Sequence, residues 1–296
     1  MIKRLSLTKI LRMTLLLFVL LLLYIFPNSN EYIETKQVNA SSYYHDIYLI
    51  DKKGYVSKTN ISVSSIEKEK LAKDLILSLT VNSKNKNKIP EGFASTIPKK
   101  TNVQKIRIDN ESITISFSSD IKNSKSKSKM IESIVYTLTS INNIKKVYLM
   151  IDNKEDPFFE KEYTRSIGIN KQYDITSMHN LLPVTIYYVS KENDLKYYIP
   201  VTKIINSKDD KIKVIIDELS SKSSYESNLM SYLNYETKLI NYTIEENDLN
   251  LYFDNSILSS SGENKLLEEV IYSISYSIMD SIEVSNIHFF VNGEEI

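Results

Sequence analysis

The second half of this chain repeats the first. The segment Met130-Ile131-Glu132-Ser133-Ile134-Val135-Tyr136-Thr137-Leu138 is matched 136 residues later by Leu266-Leu267-Glu268-Glu269-Val270-Ile271-Tyr272-Ser273-Ile274, with the apolar positions and the tyrosine coinciding. The same offset superposes Ile106 on Tyr242, Ile108 on Ile244, Ile113 on Leu249, Ile115 on Leu251 and Phe117 on Phe253. Flanking segments follow with small slips: Ile47-Tyr48-Leu49 matches Ile186-Tyr187-Tyr188 at 139, and Val147-Tyr148-Leu149-Met150-Ile151 matches Ile287-His288-Phe289-Phe290-Val291 at 140. Insertions therefore fall between elements, where loops belong. A chain built this way uses one supersecondary unit twice. What the copies share is apolar pattern rather than polar side chains, which favours a scaffold over a catalyst.

In the first copy, residues 46–50 read as a strand, 55–63 as a second extended piece, and 67–79 as a helix with Leu71, Leu75, Ile76 and Leu79 on one face. Ser64 or Ser65 is its expected cap. An irregular, lysine- and proline-containing connection follows. Segments 103–108 and 112–117 then alternate apolar and polar residues around Asp109-Asn110-Glu111, as in a hairpin. A polar stretch at 122–129 leads into a helix over 130–141 and a buried strand at 147–151. The order predicts an α+β chain: two tandem copies of a mainly antiparallel sheet with two helices packed on one face. Domain one spans 45–155, a linker 156–182, and domain two 183–296, with Phe158-Phe159 and Leu181-Leu182 as candidates to pin the linker.

The amino-terminal 27 residues predict a membrane segment. Lys3, Arg4, Lys9 and Arg12 precede an uncharged run at 13–26 that stops at Pro27-Asn28, which sets the amino end in the cytoplasm and the rest outside it. The run is shorter than the roughly 20 residues of a full span, so a cleaved signal peptide is the competing reading. Val38-Asn39-Ala40 resembles a cleavage site but lies far from the apolar run, and an uncleaved single-pass anchor is favoured. Residues 28–44 read as a tether.

Composition narrows the chemistry. Lys plus Arg balance Asp plus Glu at 37 each, which argues against a nucleic-acid partner. Cysteine is absent, removing disulfides, thiolate ligands, a cysteine nucleophile and a lipidated cysteine. With 5 Gly, phosphate-cradling loops are hard to build. His45, His179 and His288 stand at unrelated places, so no metal or other cofactor is expected, and no Gly-x-Ser-x-Gly elbow occurs. The acid pairs Glu245-Glu246, Glu268-Glu269 and Glu294-Glu295 align with Asp109-Asn110, Glu132-Ser133 and Lys154-Glu155 and read as solvated charge on turns and exposed helix faces. Among 21 Tyr, Tyr187-Tyr188 and Tyr197-Tyr198 could form a glycan platform, with half of each pair expected in the core. The lysines of 122–129 read as a solvated loop. No catalytic, cofactor-binding or metal residue is assigned, and the chain is expected not to be an enzyme.

Several of these segments resemble the GerMN domain of the GerM sporulation and germination proteins. They are Ile134-Val135-Tyr136-Thr137-Leu138-Thr139-Ser140 with Ile144-Lys145-Lys146-Val147 and Ile151-Asp152-Asn153, the entry Ile97-Pro98-Lys99-Lys100-Thr101-Asn102-Val103, and the strand Ile115-Ser116-Phe117-Ser118. The linker Arg165-Ser166-Ile167-Gly168-Ile169-Asn170 and the restart Pro183-Val184-Thr185-Ile186-Tyr187-Tyr188 are similar too. Members are often lipoproteins, whereas this chain lacks the cysteine. The resemblance implies a non-enzymatic envelope protein facing the space between mother cell and forespore, whose domains are related to ring-building folds and whose partners are proteins of a channel-type complex. The alternative from another class is a cell-wall glycan-binding or peptidoglycan-associated protein.

Overall fold

Each copy follows the predicted order of strand, strand, helix, strand, strand, helix, strand, but its strands do not stay in one sheet. The computed structural model describes residues 43–174, 181–192, 195–221, 229–258 and 265–296. The anchor expected at 1–27, nearly all of the tether at 28–44, and His179 lie outside these residues. No helix among the described residues is long and apolar enough to cross a membrane. Repeat one contains β1 (Tyr43–Asp51), β2 (Val56–Val63), α1 (Lys68–Leu79), a short β3 (Phe93–Ala94), β4 (Val103–Asp109), β5 (Ser112–Phe117), α2 (Lys127–Leu138) and β6 (Lys146–Ile151). After β7 (Gln172–Asp174), repeat two contains β8 (Leu181–Glu192), β9 (Leu195–Asn206), α3 (Lys211–Ser220), β10 (Leu239–Glu245), β11 (Asp248–Phe253), α4 (Glu268–Ser281), β12 (Asn286–Val291) and β13 (Glu294–Glu295).

The expected single antiparallel sheet per copy is replaced by a division of labour. The hairpins β1–β2 and β8–β9 join edge to edge in one six-stranded sheet, in which β2 and β9 run antiparallel with Lys58 paired to Tyr198. The remaining strands of each copy form a separate small sheet, β4-β5-β6 in repeat one and β10-β11-β12-β13 in repeat two. Within these, β5 pairs with β6, and β11 with β12, in parallel. A helix intervenes between the two strands in each case, and such a crossover returns the chain in the same direction. Apolar periodicity marks the strands but not their partners.

Consecutive residues of β1 serve different cores. Ile47 and Leu49 point into a core with Leu75 and Leu79 of α1, Ile113 of β5, Ile134 of α2 and Val147 of β6. Tyr48, between them, points to the other face and packs with Val56, Tyr136, Ile169 and Tyr187. Repeat two mirrors this, with Ile186 and Tyr188 in a core of Ile215, Leu249, Ile274 and Phe289. Residues 42–296 consequently form one compact unit. The α1 cap differs from expectation: its N-cap, Glu67, makes no side-chain bond. Ser64 instead donates through both N–H and Oγ to Asp74, at 2.9 and 2.8 Å.

The structure also corrects the register of the repeat. Thr137 Oγ1 accepts the Tyr48 N–H at 3.0 Å, and Ser277 Oγ accepts the Tyr187 N–H at 2.9 Å. Tyr136 packs edge-on against Tyr48, and Tyr276 lies tilted against Tyr187, with ring centroids 5.4 and 5.6 Å apart. The helices therefore correspond at an offset of 140, so Tyr136 matches Tyr276 rather than Tyr272. A four-residue slip is nearly one full turn of 3.6 residues, which leaves the apolar stripe in place. Polar residues are duplicated after all, and they sit at the junction of the copies.

Candidate functional site at the seam and the two outer sheet faces

The seam between β2 and β9 is built by the linker. The pairing of Lys58 with Tyr198, continued by two residues, sets Val56 opposite Pro200, which has no N–H to give. The Asn170 side chain fills that place: its Oδ1 accepts the Val56 N–H at 2.9 Å, and its Nδ2 donates to Val56 O at 2.8 Å and Pro200 O at 2.7 Å. Its own N–H donates to Glu132 on α2 at 3.1 Å. Ile169 donates its N–H to Thr202 Oγ1 at 2.9 Å, and Thr202 N–H donates back to Ile169 O at 2.8 Å. The chain then continues along the same edge of β9 as β7, in parallel. Gly168 makes the approach possible: its φ is +70°, and a Cβ there would stand 3.2 Å from Thr202.

Over this seam lies a cluster of tyrosines and paired charges. Tyr48 and Tyr187 meet hydroxyl to hydroxyl at 3.0 Å. Burial pushes the Tyr48 phenol up to about 12 and Tyr187 well above its ordinary value, so both keep their protons and one donates to the other. Arg165 donates through Nε to Thr139 at 2.8 Å and pairs with Asp280, whose side chain is 1% exposed. Burial alone would lower the Arg165 pKa, but the charge and hydrogen bond of Asp280, together with the Tyr48 and Tyr187 hydroxyls, outweigh it and hold the guanidinium protonated. Lys58 bonds Asp46 at 2.7 Å and lies 3.4 Å from the centre of the Tyr276 ring. The hydroxyls and the two ion pairs of this network are engaged internally, while Oδ2 of Asp280 is buried without a partner among the described residues.

The other candidates scatter. Tyr187, Tyr188 and Tyr197 are all buried and Tyr198 is half-buried against Tyr276, so the two tyrosine pairs form core and seam rather than the half-exposed platform expected. His45 contacts Asp46 O at 3.0 Å and His288 contacts Glu295 at 2.8 Å, far apart in the topology. No group of three metal-ligating side chains occurs among the described residues. Glu245, Glu246, Glu294 and Glu295 are exposed, as expected, but Glu132 and Glu269 are buried rather than solvated. Glu132 accepts from Ser128 and the Asn170 N–H, and Glu269 pairs with Lys196. The lysines of 122–129 are partly engaged: Lys122 bonds Asp156 at 2.9 Å, and Lys127 lies 4.7 Å from the Phe158 ring centre.

Among the described surfaces open to a partner are the outer faces of the two small sheets. In repeat one this face carries Lys105 and Arg107 on β4, Ser112, Thr114 and Ser116 on β5, and Tyr148 and Met150 on β6, around a trough of about 490 Å3. The short side chains of β5 form its floor. Register places Thr243, Asn250 and His288 of repeat two where Arg107, Thr114 and Tyr148 stand in repeat one. Tyr252 and Phe290 replace Ser116 and Met150, and their rings stack at 4.9 Å to fill that end with an aromatic ridge. Glu245 and Asp248 pair across the same sheet. The balanced total charge conceals a segregation between the repeats. Residues 46–157 carry 20 Lys and Arg against 13 Asp and Glu, a net of +7, whereas residues 185–296 carry 9 against 19, a net of −10. Counting charge by half-chain rather than whole chain would have exposed it.

Two similar domains in tandem are the arrangement of a solved structure of the tandem GerMN domains of the sporulation protein GerM from Bacillus subtilis. The two superpose with a TM-score of 0.76 at 28% identity, over 86% of this chain and 92% of that one. The spore germination protein GerM of Bacillus subtilis strain 168 is 32% identical over 273 residues, covering 86% of this chain and 73% of that protein. The model of the Germane family, described as sporulation and spore germination, matches residues 46–157 and 185–296. This chain belongs to that family and is a GerM-like sporulation and germination protein.

Proposed function

We propose that the chain is a non-catalytic, extracytoplasmic assembly module for a channel-type complex in the envelope between mother cell and forespore. Residues 1–27 serve as its uncleaved anchor and 28–44 as its tether. The observation that carries this reading is the distribution of polar groups. The duplicated Thr137 and Ser277 hydrogen-bond strand edges and the tyrosine hydroxyls meet at the seam, whereas the outer faces of the small sheets are broad surfaces suited to protein partners. The uncharged run at 13–26, preceded by four basic residues, supports the anchor.

The test is the localisation of a tagged chain, and the phenotype of its deletion, during starvation-induced sporulation. Enrichment at the forespore membrane, with a sporulation or germination defect and recovery of envelope proteins after cross-linking, is the expected result. Uniform envelope signal with unaffected spores would overturn the proposal.

A further inference from the structure

The two outer sheet faces are built on one backbone and differ in relief, with short side chains in repeat one where repeat two carries stacked rings. Repeat one offers a trough floored by Ser112, Thr114 and Ser116 and flanked by Lys105, Arg107 and Asp109, the last pairing with Arg107 at 3.6 Å. Repeat two offers the stacked ridge of Tyr252 and Phe290 at one end of its face and Glu245 opposite Asp248 at the other end. The trough falls within the roughly 300–1,000 Å3 of small-ligand pockets, enough to receive aromatic side chains. Behind the faces stand domains of net +7 and −10. Shape and charge therefore complement each other between repeats.

Within one chain each face belongs to a different repeat, so a face-to-face contact is naturally made with a neighbour. We propose that the ridge of repeat two in one copy seats in the trough of repeat one in the next, so that copies associate head to tail. This rests on the assembly reading above and names a second copy of this chain as the partner of the two faces. A contact between unlike surfaces leaves a free trough at one end and a free ridge at the other, and so propagates beyond a dimer unless it closes into a ring.

Area sets its strength. A three-stranded face six residues long measures about 14 by 20 Å from strand spacing and rise, or about 300 Å2. Stable complexes use about 800 Å2 per partner. The contact is therefore weak in dilute solution and forms where copies are concentrated. Its charges are solvent-exposed, so it weakens with salt as the screening length contracts from about 10 Å at 0.1 M to about 3 Å at 1 M.

The absence of cysteine permits a direct test. Thr114 and Asn250 are equivalent central positions of the two faces, so Thr114→Cys with Asn250→Cys marks both centres whatever the rotation between copies. The full chain, in non-ionic detergent at low salt, is treated with a short bis-maleimide. The double variant should give a ladder of dimers, trimers and larger species, and an equimolar mixture of the two single variants should stop at dimers. At 1 M salt the ladder should fall at least tenfold.

Adding Lys105→Glu with Arg107→Glu, or Glu245→Lys with Asp248→Lys, to the cysteine pair should abolish the ladder, and mixing the two charge-reversed proteins should restore it. A double variant that stays monomeric, or a ladder indifferent to either reversal while thermal unfolding is unchanged, would overturn the proposal. Loss of the ladder alongside retained cross-links to other envelope proteins would sink head-to-tail association and leave the assembly reading intact.

Discussion

In repeat one, α1 lies along β4, and Ile106 and Ile108 are partly buried against the core. The two helices pack together in both repeats, but in repeat two α3 lies against β8, and Ile244, the counterpart of Ile108, is 47% exposed. Two helix acids, Asp74 in repeat one and the exposed Asp217 in repeat two, respond to their surroundings in opposite directions. Burial would raise the pKa of Asp74 in α1, but bonds from Ser64, Asn85 and Lys88 bring it down to about 2. Asp217 in α3 is raised, first by burial and then by the charges of Asp209 and Glu218. One fold thus supports a cation-rich, well-covered domain and an anion-rich, more open one. The backbone plan tolerates that divergence because its shared features are confined to strand edges, helix stripes and the seam.

The strongest challenge to this picture is at the seam, which should matter equally to both repeats. Asp280→Ala leaves the partly buried Arg165 without its counter-charge and should destabilise the protein by up to about 3 kcal/mol. Chemical denaturation should show one transition moved to lower denaturant; separate melting of the two repeats would break the view that they form one unit. Truncation of matched core residues sharpens the same point. Leu75→Ala in repeat one and Ile215→Ala in repeat two should each cost about 2–5 kcal/mol and shift the same single transition, read by two spectroscopic probes. Asn170→Ala removes three bonds that close the sheet at Val56 and Pro200 and should cost about 1–3 kcal/mol, with faster hydrogen exchange at Val56.

The smallest effects should separate the repeats by pH. The Asp74 pKa is depressed, so its contribution to stability is fully present above the ordinary carboxylate pKa of about 4 and is lost as pH falls through about 2. Asp217 has a raised pKa, so it opposes folding at neutral pH and that opposition is relieved on acidification. Asp74→Asn should therefore lower the melting temperature at pH 7 and change little near pH 2. Asp217→Asn should raise it slightly at pH 7, with the gain vanishing in acid. Equal pH profiles for the two variants would remove the electrostatic contrast between the domains.

Local structure was legible where one physical signal decided it. The hairpin at 103–117 followed from alternation around Asp109-Asn110-Glu111, and Asn110 indeed takes the left-handed turn conformation, with φ of +50°. The helices followed from their apolar stripes. Strand partnership was not legible, because it depends on a proline without a donor at one position and an asparagine in a distant linker that supplies one. The helix register was hidden by the near equality of four residues and one turn. The seam residues 165–170 stood out through family resemblance alone, since nothing in their local pattern announces that Arg165 will meet Asp280. The outer faces could be drawn as alternating residues, but their difference in relief emerges only when the small sheets are laid side by side.

The meeting of Tyr48 and Tyr187 has a consequence for how such a molecule can arise. Two equivalent hairpins that abut in antiparallel fashion, with equivalent hydroxyls touching at the centre, have the geometry of a two-fold axis, the commonest symmetry of homodimers. A single-repeat ancestor could have formed this sheet by pairing with itself. Fusion of two such genes would release each half from self-complementarity, and Asp280 shows that freedom in use: its counterpart by helix register is Ser140, so the ion pair with Arg165 exists on one side only. The seam thus has the symmetry of a homodimer interface, while the one-sided ion pair and the opposite charges of the two repeats show that each half no longer has to match itself.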